Sequence, residues 1–84
     1  MNSPIQQFAS EIAEGVAEQL ALIPPERLEP TLRGIKSGFV GEVLRRWPAT
    51  PSDEVLDSAE RFVVSVAARA RQISKASENL AGRA

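Results

Sequence analysis

Proline sets the outline of this chain. Its six prolines stand at positions 4, 24, 25, 30, 48 and 51, so residues 5–23, 31–47 and 52–84 contain none. Proline lacks a backbone N–H and disfavours helical geometry in the residue before it, so each one marks where a helix begins or stops. Between these marks apolar residues recur at helical spacing, and the period-two alternation of a strand is missing. The expectation is an all-α fold: an antiparallel three-helix bundle with helices at about residues 4–23, 30–46 and 51–79.

The first helix opens on Ser3-Pro4-Ile5-Gln6, which fits a capping box with Ser3 as N-cap and Pro4 at the first helical position. Ile5, Phe8, Ile12, Val16, Leu20 and Ile23 fall on one side, and Glu11, Glu14 and Glu18 on the other. Pro24-Pro25 stops it. The connection at 24–30 has room for one helical turn, with Leu28 reaching the core and Pro30 in the first turn of the second helix. That helix carries Leu32, Ile35, Phe39, Val40, Val43, Leu44 and Trp47 on a broad apolar arc, and ends before Pro48 with Arg45 and Arg46 in its last turn. The third starts at Thr50-Pro51-Ser52-Asp53, read as a threonine N-cap followed by proline. Its carboxylates Asp53, Glu54, Asp57 and Glu60 come early and its cations Arg69, Arg71 and Lys75 late, as the helix dipole favours.

The third helix also carries an apolar seam with spacings of three and four: Leu56, Ala59, Val63, Val66, Ala70, Ile73, Ser77 and Leu80. Such a seam suits a coiled-coil partner. Helix three is expected to be roughly 43 Å long, against roughly 30 and 25 Å for the others. Its far end outreaches its neighbours. An 84-residue chain buries only about 60–65% of its unfolded surface. A homodimer is therefore expected, with Leu56, Ala59, Val63, Val66, Ala70, Ile73 and Leu80 in the interface. Residues 1–84 are read as one domain, with a frayed tail at 80–84.

The missing residue types exclude several chemistries. The chain has no Cys, His or Tyr. That removes thiol catalysis, disulfides, Cys- or His-based zinc sites and any Ser–His pair. The neighbouring carboxylates Glu54 and Asp57 lie on a helix N-terminal turn, which favours their ionised form and not a general acid. No strand precedes the glycines, so there is no phosphate-cradling loop. A non-enzyme without cofactor or metal is expected. No apolar run approaches the roughly 20 residues of a membrane span, no secretory signal is visible, and a cytoplasmic protein is expected.

Two features point to a binding role. Gly34, Gly38 and Gly41 fall on a line roughly 60° wide opposite the apolar arc of helix two. Either this bare line admits the close approach of a partner, or the glycines break the helix near 34–41. Beside it, residues 30–49 hold Arg33, Lys36, Arg45 and Arg46 against the single carboxylate Glu42, with Trp47 adjoining. Arginine next to an aromatic residue is typical of protein interfaces and also of phosphate or base contact; the plainer reading is charge compensation at a helix end, with Trp47 capping the core. The expected function is a small non-catalytic adaptor, inhibitor or regulator binding another protein through Gly34, Gly38, Gly41, Arg45, Arg46 and Trp47. The alternative is a nucleic-acid accessory protein using Arg33, Lys36, Arg69, Arg71 and Lys75. Helix three is a poor recognition helix, because its N-terminal Asp53, Glu54 and Asp57 repel phosphate.

Overall fold

The computed structural model describes residues 3–81, with side chains described for residues 3–76. Three helices follow one another: α1 (Pro4–Ala21), α2 (Pro25–Arg46) and α3 (Ser52–Ala81). No strand occurs among the described residues.

The capping box forms as the sequence requires. Ser3 Oγ accepts from the Gln6 N–H at 3.1 Å, and Gln6 Oε1 accepts from the Ser3 N–H at 3.4 Å. At its other end α1 stops two residues sooner than expected. The N–H groups of Leu22 and Ile23 donate to the carbonyls of Gln19 and Leu20, each at 3.1 Å. These bonds span three residues, so the chain tightens ahead of Pro24, which disfavours helical geometry at Ile23.

The second helix starts five residues before Pro30. Pro24 is extended and acts as N-cap, Pro25 takes the first helical position, and Arg27 N–H donates to the Pro24 carbonyl at 3.0 Å. Pro30 lies inside the helix. Its missing N–H leaves only the Glu26 carbonyl without its helical donor, and Glu26 and Pro30 are both exposed, so water can serve that group. The Thr31 hydroxyl donates to the neighbouring Arg27 carbonyl at 2.7 Å. Thr50 is likewise not the cap of α3. Its N–H and hydroxyl both donate to the Trp47 carbonyl, at 3.1 and 2.8 Å, and close the turn between α2 and α3. The helix begins one residue later, with the Pro51 carbonyl accepting from Val55 N–H at 3.1 Å. It continues to Ala81, past the expected start of fraying; residues 82–84 lie outside the described part.

α3 is the spine. α1 and α2 each pack on it and touch one another little. Glu14 of α1 meets Arg69 at 2.9 Å, and Lys36 of α2 meets Glu60 at 2.6 Å. Where all three helices do meet, each contributes a phenylalanine. Phe39 stacks on Phe62 with centroids 4.6 Å apart and on Phe8 at 5.8 Å. Trp47 abuts the Phe8 ring edge-on at 6.1 Å, and the Arg46 guanidinium lies 4.5 Å over the same ring. The rest of the core is small: Val43, Val55, Ala59 and Val66 are sealed, as is Ala17. Ala17 belongs to a line of alanines spaced by four, Ala9, Ala13, Ala17 and Ala21, all in or against the core. Short side chains at this spacing let α1 approach α3 closely. The result is elongated, 52 × 29 × 16 Å, with a radius of gyration of 14.4 Å, against about 12 Å for an average domain of this length.

Candidate interaction surface

The glycines settle into one unbroken helix. α2 runs from Pro25 to Arg46 through Gly34, Gly38 and Gly41, none with positive φ. The break near 34–41 does not occur. All three glycines are exposed, and a Cβ added at any of them would meet nothing within 4 Å. The fold of this chain therefore has no steric need for glycine there. Each costs about 1 kcal/mol of helix stability relative to alanine.

Of the residues expected to join them, the structure brings one to the same face. Helical spacing places Arg45 in line with Gly34, Gly38 and Gly41, and Leu44, 39% exposed, on the flank. Arg46 and Trp47 go elsewhere. Both turn towards Phe8, the first over the ring and the second, half-buried, against its edge. Trp47 thus caps the phenylalanine layer, the plainer of the two readings of the sequence.

Glu42 organises the end of the helix. It forms a close ion pair with Arg45 and accepts from Arg46 Nε at 3.1 Å. Hydrogen bonds from Arg45, and then Arg46, hold its carboxyl below the ordinary glutamate value, and Glu42 raises Arg45 in turn. Two of the cations read as a basic group therefore share one carboxylate.

The cations of the nucleic-acid alternative are dispersed. Arg33 pairs with Glu29 at 3.1 Å on the surface of α2. Lys36 and Arg69 are spent on the interhelical pairs with Glu60 and Glu14. Arg71 and Lys75 are exposed on α3, with no ion-pair partner among the described residues. On α1, Glu14 serves Arg69, and no group of carboxylates able to hold a metal ion occurs among the described residues.

The expected dimer seam divides. Ala59, Val66 and Ala70 are buried in the chain's own core, and Val63 and Ile73 are half-buried. Leu56 is 52% exposed. The side chain of Leu80 lies outside the described residues. Most of the seam is therefore already covered by α1 and α2 of the same chain. A period of three and four does not reveal whether the covering helix is another chain's or its own.

No helix among the described residues is long and apolar enough to cross a membrane. Comparison of the chain with protein-family models, with curated proteins and with solved structures finds no match.

Proposed function

We propose that this chain is a small, non-catalytic interaction protein of the cytoplasm, an adaptor, inhibitor or regulator that binds another protein through the outer face of α2. The observation that carries the reading is the glycine line. Three exposed glycines lie in an unbroken helix where a Cβ would touch nothing. Glycine there costs the isolated chain stability, and a partner that brings its own backbone or a flat side chain against α2 would use the space. Leu44 and Arg45 border the line and offer such a partner an apolar contact and a charged donor.

The frame that presents this face is an antiparallel bundle. Three contacts support that direction: Leu28 borders one groove with Ala70 and Ser74, Lys36 pairs with Glu60, and Phe39 stacks on Phe62. From Leu28 to Lys36 and Phe39 along α2, the residues met on α3 move back from Ala70 and Ser74 to Glu60 and Phe62. The reading includes self-association, as a homodimer.

Gly38→Leu is the test. The substitution fills the line, and its Cβ meets no atom of the chain within 4 Å. Its helical content should match wild type by circular dichroism, while crosslinking in cell extract should lose a partner that wild type captures. A partner retained in full by Gly38→Leu would remove the α2 face from the reading. The nucleic-acid alternative is separated by salt. Binding through phosphates weakens with a slope of about −0.9 per contact in log K against log salt.

A further inference from the structure

The outer face of α3 carries an ordered line that the fold leaves unused. At 100° per residue, Asp53, Asp57, Val64, Arg71 and Lys75 fall within about 40° of one another on the helix surface. All are exposed, Val64 at 62%. α1 meets the helix on another face, at Arg69, while Lys36 of α2 reaches the flank of the line at Glu60. Asp53, Arg71 and Lys75 have no ion-pair partner among the described residues. Asp57 has only an exposed pair with Arg61 at 3.2 Å.

The order along this line is acid, acid, valine, base, base. Asp57 and Arg71 lie equally far before and after Val64, and so do Asp53 and Lys75. A line arranged this way is its own complement when reversed. Rotation about a two-fold axis through Val64 sets Arg71 of a second copy opposite Asp57 and Lys75 opposite Asp53, each twice. The two valines meet on the axis. The same rotation sets Ala67 and Ala68 opposite Arg61 and Glu60, so the larger side chains next to the axis face small ones. The helix dipole accounts for acids early and bases late. It does not account for the equal spacing of these two acids and two bases about an exposed valine.

We propose that the outer face of α3 is a self-association surface on which two copies of the chain pair their third helices in antiparallel register about Val64. The inference deepens the homodimer reading by naming its face, and it leaves the outer face of α2 free for another protein. The paired stretch from Asp53 to Lys75 is about 33 Å long. One helix pair buries little surface and exposed ion pairs are individually weak, so the association is reversible and chosen by charge.

Sedimentation equilibrium of the full chain over a dilution series tests this. The expected result is a monomer–dimer equilibrium that weakens as salt screens the pairs. Asp57→Arg and Arg71→Asp each create two like-charged pairs and should weaken the dimer at least about tenfold. Mixed in equal amounts, the two variants should dimerise again, because native Arg71 then faces native Asp57 and the two introduced charges face each other. Circular dichroism checks that both stay helical, and Val64→Asp should also weaken the dimer. Wild type and variants overturn the proposal differently. A monomer at every concentration removes both the face and the dimer reading. A dimer indifferent to both charge reversals, or variants that stay monomeric when mixed, removes this face alone.

Discussion

The three phenylalanines converge on one layer, one from each helix, and Phe39 stands in the middle of it. Its ring stacks on both others and is 4% exposed. Phe39→Ala removes both stacks at once and should cost about 3–5 kcal/mol in urea unfolding. For a domain of marginal stability that is most of what holds it folded. A loss below about 1 kcal/mol would mean that the layer closes over the gap. Glu42 gives a prediction in pH. Its folded pKa lies below the ordinary 4.5, first because of the hydrogen bond from Arg45 and then that from Arg46. A carboxyl depressed on folding contributes stability above its unfolded pKa and loses that contribution as pH falls through its folded value. The difference in melting temperature between wild type and Glu42→Gln should therefore be largest near neutral pH and shrink below about pH 4.5. A difference independent of pH would assign the effect to packing and not to charge.

The helices themselves test the glycine reading. Gly34→Ala, Gly38→Ala and Gly41→Ala each add a methyl group into open space. Each should raise stability by up to about 1 kcal/mol in denaturant unfolding, and all three should raise it nearly additively. Destabilisation would mean that α2 needs glycine for a reason its contacts do not contain. The same elements mark how far the sequence could be read. Helix number, the Ser3 box and the interruptions at Pro24 and Pro48 were legible because proline and capping chemistry act within a few residues. Room for a helical turn at 24–30 was legible, but its continuity with α2 was not, because two possible first positions, Pro25 and Pro30, compete, and an exposed Pro30 is tolerated inside the helix. Ala17 was missed because the apolar period was followed through large side chains alone. The alanine spacing of four was present in the chain, but only packing distinguishes an alanine that admits a neighbour from one that faces water. The dimer seam was ambiguous for the same reason, since Ala59, Val66 and Ala70 satisfy either a second chain or the chain's own helices.

At the scale of the whole molecule, α3 connects two helices that scarcely touch, so α1 has two kinds of anchor with different consequences. Along most of its length it is held to α3 by small side chains, with Ala17 fully sealed. At its N-terminal end Phe8 reaches across to Phe39, Trp47 and Arg46 of the α2 segment. Ala17→Leu forces extra volume between α1 and the spine, and should cost about 1–3 kcal/mol as overpacking. It leaves the aromatic layer intact, so the native fluorescence of Trp47, the chain's single tryptophan, should be unchanged. Phe8→Ala leaves the alanine contact in place but removes the ring beneath Trp47. Native fluorescence should then shift towards that of exposed indole. Wild type should unfold in one transition by both circular dichroism and fluorescence, since both anchors draw on the same face of α3. In Phe8→Ala the fluorescence transition should precede the helical one, because the Trp47 end of α2 no longer shares a contact with α1. If the two probes still coincide in that variant, the contact of each helix with α3 suffices for cooperativity, and the aromatic layer contributes stability without coupling α1 to α2.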